Sequence, residues 1–442
     1  MRKVFLSTFQ DINSFSLPLI LNNIFNLLIS MVLTSIVGRI STGAIVSNEI
    51  IDTLNYAILG IAGVGTLIFN IESSKVRLVN KNDFFDWFKS CYLVNGCIGL
   101  IIIIAIFLFA KDVFYYIYEI KNQELDIACK YAYIASFSIF ANMLIFSLSN
   151  LLKVKKKTKY ILFAGVIGSV LQVALAYLMV NKVLEGNYKL LGVSISSTFT
   201  VFLQLIIYLY ILRKEIQTTF SIKSSRKKEL ILKSIPLMLQ EILEGSVFSV
   251  LIVTLITRLG ENIISSYSIS MRVVYLCLLP MYMYCNSLTV LVGEYQSKKE
   301  YGKMKILPIT TVVTTIAVYV AIAILSYVYK ENLIGILTNI SSVQEGTLQV
   351  LKTVLLFSVF QILFENSKYV LQSIGKSKEA LKTTVVINSV ASIVLVGLNI
   401  YKLLDLKIVL GILAVNYLIL AVFFLRGYLE EVRKYSVLQQ ID

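Results

Sequence analysis

Apolar stretches of about twenty residues follow one another along almost the whole chain. A helix needs roughly that many residues to cross the hydrocarbon of a bilayer, because it rises about 1.5 Å per residue. Hydrophobic residues make up 57% of the 442 residues and charged residues 15%, which excludes a soluble domain. The sequence therefore predicts an all-α integral membrane protein with twelve transmembrane helices. Hydropathy windows place these helices near residues 14–38, 45–70, 90–110, 127–151, 160–181, 190–212, 234–257, 263–293, 307–329, 347–373, 383–401 and 407–426.

Lysine and arginine are concentrated in the short segments between these stretches. The net charge is +15, and with a cytoplasmic amino terminus most of the 41 basic residues lie on the inner side. The positive-inside rule then places both termini in the cytoplasm and the protein in the cell (inner) membrane. The most basic segments, 153–159 and 213–233, are interpreted as orientation signals at the lipid headgroups rather than as a nucleic-acid or lipid site. No nucleic-acid partner is predicted.

The two halves of the chain resemble each other. Pro18 in "SLPLILNN" corresponds to Pro236 in "SIPLMLQE", and "LLKVKKKTK" from Leu151 corresponds to "LQSIGKSKE" from Leu371 at nearly the same offset. Six helices per half is an even number, so both copies enter from the same side, related by a pseudo-two-fold axis along the membrane normal. Such parallel repeats are typical of secondary transporters, whose site lies between the halves. The predicted parts are an amino-terminal lobe, a basic cytoplasmic linker and a carboxyl-terminal lobe with a short tail, at residues 1–212, 213–233 and 234–442.

Acidic residues inside apolar stretches are the first candidates for function. Glu241 and Glu244 share one face of the seventh predicted helix, which Pro236 is expected to open, and Glu244 lies about 12 Å beyond that proline. An ionisable group at this depth is costly and is by default a functional hypothesis. Glu365 in the tenth predicted helix lies near the same depth. It either completes a two-carboxylate cation site with Glu244 or pairs locally with Lys368, three residues later.

Several other polar residues could line a substrate cavity in the predicted helices. Asn22 and Asn26 recur at helical spacing along the first helix, and Asp52 and Asn55 occupy the outer part of the second. Hydrogen bonding between helices is the competing explanation, and for the asparagines it is favoured.

The eighth predicted helix carries two further candidates. Arg272 could bind an anion in the cavity, although an internal ion pair or an outward-reaching side chain is favoured. Pro280 is expected to kink the helix, either as a hinge for alternating access or simply to set its shape.

Residue types that are missing exclude several kinds of chemistry. The chain has no histidine, and its five cysteines lack the spacing of metal ligands. The "GKS" sequence at Gly375 lacks the first glycine of a P-loop, so ATP is not the predicted energy source and no cofactor is expected. No Ser/Lys or paired-Asp motif stands at a convincing spacing. A membrane-embedded enzyme is therefore disfavoured, and the only metal considered is a sodium ion at Glu244.

Three motifs in their order along the chain carry a resemblance to a known family. They are "IVGRIS" after the first predicted helix, "SYSISMRVVYLCLLPMYMYCNSLTVLVGEYQSKKEYGKMK" from Ser266, and "LQSIGKSK" from Leu371. With the proline of each half, these residues resemble the multidrug and toxic compound extrusion (MATE) family. Its larger superfamily is that of multidrug, oligosaccharidyl-lipid and polysaccharide exporters. The resemblance implies a two-lobed, twelve-helix antiporter in which sodium or protons enter as an organic substrate leaves.

The resemblance also carries residue roles and departures from them. A family glutamate eight residues after the proline of the seventh helix matches Glu244. Leu33 and Ala176 stand where many prokaryotic members have aspartates in the amino-terminal lobe. We therefore expect the carboxyl-terminal lobe to couple to the ion, with Glu244 as the main acid and Glu241 and Glu365 assisting.

The predicted function is a secondary active exporter that exchanges H⁺ or Na⁺ for an amphipathic, cationic organic solute by alternating access. We expect a monomer whose partners are that solute and membrane lipid. The alternative is a flippase of a lipid-linked saccharide or peptide, which would have a wider and basic cavity near Arg272.

Overall fold

The computed structural model describes residues 2–38, 40, 59–60, 62–117, 120, 122–338 and 340–441. Within them every element of regular structure is a helix, which confirms the all-α prediction. Eleven helices of this described part are long and apolar enough to cross a membrane. Most of the predicted second helix, residues 45–70, lies outside it.

Fifteen α-helices follow one another in these residues. They are α1 (Arg2–Gly38), α2 (Val64–Val76), α3 (Lys81–Asp112), α4 (Asn122–Val154), α5 (Thr158–Leu178), α6 (Lys189–Ile211), α7 (Arg213–Phe220), α8 (Lys227–Ile242), α9 (Ser249–Thr257), α10 (Glu261–Ser297), α11 (Tyr301–Val328), α12 (Lys330–Leu337), α13 (Ser341–Ser373), α14 (Ser377–Ile400) and α15 (Leu406–Ile441). Three short π-helical segments, Val113–Ile117, Met179–Val183 and Leu243–Phe248, continue α3, α5 and α8.

The helices extend beyond the apolar stretches that predicted them. Pro236 was expected to open its helix, and this was wrong, because α8 begins at Lys227. Pro18 likewise lies inside α1. Hydropathy detects only the apolar part of a helix. The first turns of α8, "KKELILK", are helical but carry four charged residues, so hydropathy misses them. Pro280 also lies inside a continuous helix, α10.

Contacts divide the chain into two compact units. One is Leu17–Ser234, and the other combines Met1–Ser16 with Ile235–Asp442. We call them the amino-terminal unit and the carboxyl-terminal unit. The first turns of α1 belong to the carboxyl-terminal unit, where the hydroxyls of Ser16 and Ser287 are 2.5 Å apart.

The carboxyl-terminal unit is built around α10, α13 and α15. Helix α13 packs against both of the others more extensively than any other pair does within this unit. Their shared core is apolar and fully buried around Leu278, Met281 and Leu351. Burying such side chains against each other supplies much of the stability of the packed helices. Helix α13 therefore lies at the centre of this unit.

In the amino-terminal unit the basic segment 213–233 is packed rather than free. The carboxylate of Asp86 on α3 accepts a 2.9 Å hydrogen bond from the backbone N–H of Ser225. Arg226 bridges Asp83 at 3.0 Å and Glu229 at 2.7 Å. Asp86 is buried, so its charge is satisfied by donors from this segment. These bonds hold the segment against the start of α3.

Candidate functional site

Glu244 lies in an irregular part of its helix. The π-helical segment Leu243–Phe248 separates α8 from α9, and such segments insert an extra residue and are frequent at functional sites. The hydroxyl of Ser249 donates a 2.9 Å hydrogen bond to the Glu244 carbonyl. Glu244 itself is half-buried.

A buried lysine joins Glu244 to a second carboxylate. The Nζ atom of Lys368 on α13 lies 2.8 Å from Glu244 Oε2 and 2.9 Å from Glu365 Oε2. The Lys368 side chain is only 3% exposed, and those of Glu244 and Glu365 are 14% and 11% exposed. The local pair that the sequence offered for Glu365 is therefore present, and the same ammonium also bridges Glu365 to Glu244. The two-carboxylate cation site stays a prediction.

Amide and hydroxyl groups surround the other oxygen of Glu244. Gln240 Nε2 donates to Glu244 Oε1 at 2.8 Å and contacts Thr384 Oγ1 at 3.1 Å. Gln372 Nε2 in turn donates to Gln240 Oε1 at 2.9 Å. Gln240, Gln372 and Thr384 are all buried. The carboxylate of Glu244 is thus held by donors from α8, α13 and α14.

Aromatic rings cover the lysine. Lys368 Nζ lies 4.8 Å from the ring centroid of Phe364 and 5.8 Å from that of Tyr369. Phe364 is stacked on Tyr417 of α15 with the ring centroids 5.2 Å apart. A cation over an aromatic face is attracted by the ring. The rings therefore stabilise the ammonium while limiting its access to water.

The cluster of Glu244, Glu365 and Lys368 contains two carboxylates and one ammonium, so it carries a single negative charge when all three groups are ionised. We call it the carboxyl-terminal cluster. Glu241, the third predicted coupling acid, is exposed on α8. In the described residues its side chain takes no part in the hydrogen bonds of the cluster.

The predicted cavity residues of the amino-terminal unit lie against α5. Asn26 Oδ1 accepts a 3.2 Å hydrogen bond from Ser169. Asn22 faces Gly165, where a side chain would collide with its Oδ1 atom. This oxygen is buried and has no hydrogen-bond partner among the described residues. The bond between Ser169 and Asn26 fits the interhelical hydrogen bonding that the sequence favoured for the asparagines; for the Asn22 oxygen no such bond is present among the described residues.

The remaining predicted residues are not gathered into the cluster. Asp52 and Asn55 lie outside the described residues. Arg272 is exposed on α10, and Pro280 is buried within the same helix. Their predicted roles as cavity lining and hinge stay predictions.

Four residues of the site were not predicted as coupling residues: Gln240, Lys368, Gln372 and Thr384. A signal existed for Lys368, because a lysine inside the apolar stretch 347–373 is as costly as an acid there. Gln240 stands one helical turn before Glu244. Gln372 and Thr384 follow no pattern that distinguishes them from other polar residues in apolar helices.

Comparison with known proteins identifies a matching family model. The MatE family model matches residues 80–178 and 236–398, more than half of the chain. No curated protein matches it.

Solved structures share the fold at low sequence identity. A MOP superfamily transporter from Pyrococcus furiosus, described as having a binding pocket of reverse polarity, has a TM-score of 0.84 at 15% identity over 98% of this chain and 97% of that one. An outward-facing multidrug resistance MATE transporter has a TM-score of 0.83 at 16% identity over the same shares. A MATE structure in the straight conformation has a TM-score of 0.81 at 15% identity, again over 98% and 97%.

The extent of the family match, the many membrane-spanning helices and the agreement with transporter structures over nearly their full length lead to one assignment. This chain belongs to the MatE (MATE) family, and it shares its fold with solved MATE and MOP superfamily transporters.

Proposed function

We propose that this protein is a secondary active exporter that exchanges a proton or a sodium ion for an amphipathic, cationic organic solute. The observation that carries the proposal is the carboxyl-terminal cluster, in which Glu244, Lys368 and Glu365 meet inside membrane-spanning helices. Charged groups in such helices are expensive and are retained where they serve transport. A solved relative described as a multidrug resistance MATE transporter supports the same reading.

The geometry suggests how an ion could drive the cycle. In the described state Glu244 is bonded to Lys368 on α13 and to Gln240, which also contacts Thr384 on α14. Loading a cation on Glu244 competes with these donors and weakens the contact between the π-helical segment and α13. A bound ion can shift the balance between facing states only by binding one of them more tightly. The hydrogen bonds of Glu244 that are broken on loading supply this difference in ion affinity between the facing states.

The proposal includes the setting in which the exporter works. It operates in the cell (inner) membrane with both termini in the cytoplasm, as a monomer, with the organic solute and lipid as its partners. It performs no catalysis, and beyond the coupling ion it requires no cofactor.

A transport assay with separate gradients tests the proposal. Purified protein in proteoliposomes is given a pH gradient, a sodium gradient or neither, and several fluorescent organic cations are followed. We expect at least one dye to move against its own gradient when an ion gradient is imposed, and to stop when an ionophore collapses it. Equal dye movement with and without either gradient, across the panel, would show that the protein is not an ion-coupled exporter of organic cations.

The flippase alternative has one observation in its favour. Lys368 places a positive charge deep within the carboxyl-terminal unit, and a solved relative is described as having a pocket of reverse polarity that suggests a different function. Because two carboxylates outnumber the one ammonium, the cluster favours the exporter. Flipping of a fluorescent lipid-linked phosphate in the same liposomes, read by quenching of the outer leaflet, distinguishes the two functions.

A further inference from the structure

We infer, on the basis of the exporter proposed above, that Lys368 acts as a built-in cation that reserves the carboxyl-terminal cluster for protons and excludes sodium. The residue would thus determine the ion specificity of the carrier. The observations are the position of its ammonium, the donors around Glu244, and the charge of the cluster.

The ammonium occupies the place that a metal ion would need. Lys368 Nζ lies within 2.9 Å of a carboxylate oxygen of both Glu244 and Glu365. A hard cation requires several oxygen lone pairs directed at one point. Here the nearest oxygens of both acids are directed at N–H groups of the lysine.

The other oxygen of Glu244 offers no alternative binding position for a sodium ion. Its Oε1 atom accepts from Gln240 at 2.8 Å and lies 3.4 Å from the Thr384 hydroxyl. Both neighbours act as donors toward this oxygen, so their hydrogens face the carboxylate. A sodium ion would have to displace these hydrogen bonds as well as the ammonium.

The lysine cannot easily withdraw to make room. Its side chain is 3% exposed, and the rings of Phe364 and Tyr369 lie beside the ammonium. A sodium ion that entered without displacing it would place two like charges a few ångströms apart, where they repel strongly because little water screens them. A proton needs no coordination shell. It binds one carboxylate oxygen and brings the net charge of the cluster from minus one to zero.

The titratable groups that act on the ammonium come from several helices. Glu241 and Glu244 belong to the region of α8, Glu365 and Tyr369 to α13, and Cys285 to α10. Tyr417 on α15 stacks on Phe364 beside the cluster. Only Glu244 and Glu365 contact Lys368 as ion-pair partners in the described residues. They are therefore the two groups whose protonation would loosen the ammonium.

A binding experiment tests the inference independently of transport. Thermal unfolding of the purified full-length protein is measured at fixed pH in sodium chloride and in the same concentration of choline chloride. The variants are Lys368→Met and, as a matched control, Lys376→Met. Lys376 also pairs with a glutamate three residues away, Glu379, at 2.5 Å, but at the start of α14, where the side chains are 33% and 56% exposed. A third protein combines Lys368→Met with Glu244→Gln.

We expect wild-type and Lys376→Met proteins to have the same midpoint in both salts. In Lys368→Met the vacated place between two carboxylates should bind sodium and raise the midpoint by about 2 °C at sodium roughly tenfold above its dissociation constant. The added Glu244→Gln change should abolish that rise. If Lys368→Met does not fold, Lys368→Gln, which keeps an amide donor, replaces it with the same expected outcomes.

Two results would overturn the inference. One is a sodium-dependent rise in the wild-type protein that Glu244→Gln abolishes, because sodium would then bind despite the lysine. The other is a folded Lys368 variant with no response to sodium. Neither result depends on export, so a protein that binds ions as expected but moves no solute would refute the proposed function alone.

Discussion

Lys368 and Lys155 each hold a glutamate, but burial gives the two ion pairs different consequences. Lys368 is 3% exposed and bridges two acids, whereas Lys155 is 24% exposed and lies 2.5 Å from Glu215. Removing one member of a buried pair leaves a charge without compensation and costs about 3–5 kcal/mol, while exposed pairs are worth about 0.2–1 kcal/mol. The carboxyl-terminal cluster is therefore held tightly, and altering its protonation is a large local event.

The partly buried Lys155–Glu215 pair provides a prediction for the pH dependence of stability. Burial alone would raise the pKa of Glu215, but the hydrogen bond from Lys155 and the charges of Lys155 and Lys157 outweigh it, so the pKa lies below its ordinary value. The stabilisation is present above the pKa of the unfolded state and is lost as the pH falls through the lower folded value. We expect Glu215→Gln to be less stable than wild type by up to about 1 kcal/mol at neutral pH, and this difference to disappear only as the pH falls through the lowered folded pKa of Glu215.

Thermal unfolding of the purified proteins from neutral to acid pH checks this expectation. Glu430→Gln is the control, because the Arg426–Glu430 pair is similar in length at 2.8 Å but both side chains are more than half exposed. Its effect should be smaller at neutral pH. A deficit of Glu215→Gln that persists unchanged in acid would contradict the electrostatic explanation.

At the scale of elements, the π-helical segment is what sets Glu244 apart from an ordinary helical residue. It lies between α8, which supplies Gln240, and α9, whose Ile252, Leu255 and Ile256 are buried in the core. A π-helical turn holds one residue more than the α-helix that it replaces. The segment therefore shifts Glu244 relative to its position in a regular α-helix.

Deletion of Gly245 tests whether this extra residue matters for coupling. Removing it should convert the segment to a regular α-helix, so α9 keeps its packing and the protein stays folded while Glu244 leaves its position opposite Lys368. We expect gradient-driven export to be lost with little change in the unfolding midpoint.

Deletion of Val250 is the matched control, because this residue is 63% exposed in regular α9. Losing a residue there rotates the rest of the helix by about 100° and should destabilise the protein. Size-exclusion chromatography, thermal unfolding and dye export compare the two proteins. Export at the wild-type rate after deletion of Gly245, or destabilisation equal to that of the Val250 deletion, would count against a role for the segment.

The sequence predicts the apolar parts of the helices and misses their polar ends. Hydropathy located the membrane-spanning stretches of the described part, because burial in lipid demands continuous apolar runs. It missed the true start of α8 at Lys227, since a polar helical turn is not distinguished from a loop by hydropathy. It also gave no sign of the π-helical segment, which depends on the packing of both flanking helices.

The candidate site was predictable only in part for a similar reason. Glu244 and Glu365 were identified because each is an acid in an apolar stretch. The bond between Glu244 and Lys368 joins residues 124 positions apart, and only the tertiary structure brings the π-helical segment and α13 together here. Thr384 is 140 positions from Glu244 in the chain. Nothing in the sequence around Thr384 predicts that α14 brings it to this carboxylate.

At the scale of the whole molecule, the boundaries of the two compact units differ from those of the predicted lobes. Residues 1–16 belong with the carboxyl-terminal unit, and residues 213–234 with the amino-terminal one. The chain shares its fold with MATE transporters over nearly their full length. Coupling by the carboxyl-terminal cluster then requires that a change at Glu244 alter export while leaving the scaffold intact.

The central claim is that Glu244 links an ion to solute export, and one measurement tests it directly. Wild-type, Glu244→Gln and Glu379→Gln proteins are reconstituted at equal density, and both gradient-driven dye accumulation and dye exchange without a gradient are followed. Glu379 is a suitable control because it is an exposed glutamate of the same unit, with a side chain 56% exposed. We predict that Glu244→Gln retains exchange but loses accumulation by about tenfold or more, as expected when a coupling free energy of typical size is removed, while Glu379→Gln behaves as wild type. Gradient-driven accumulation by Glu244→Gln at the wild-type rate would contradict the account.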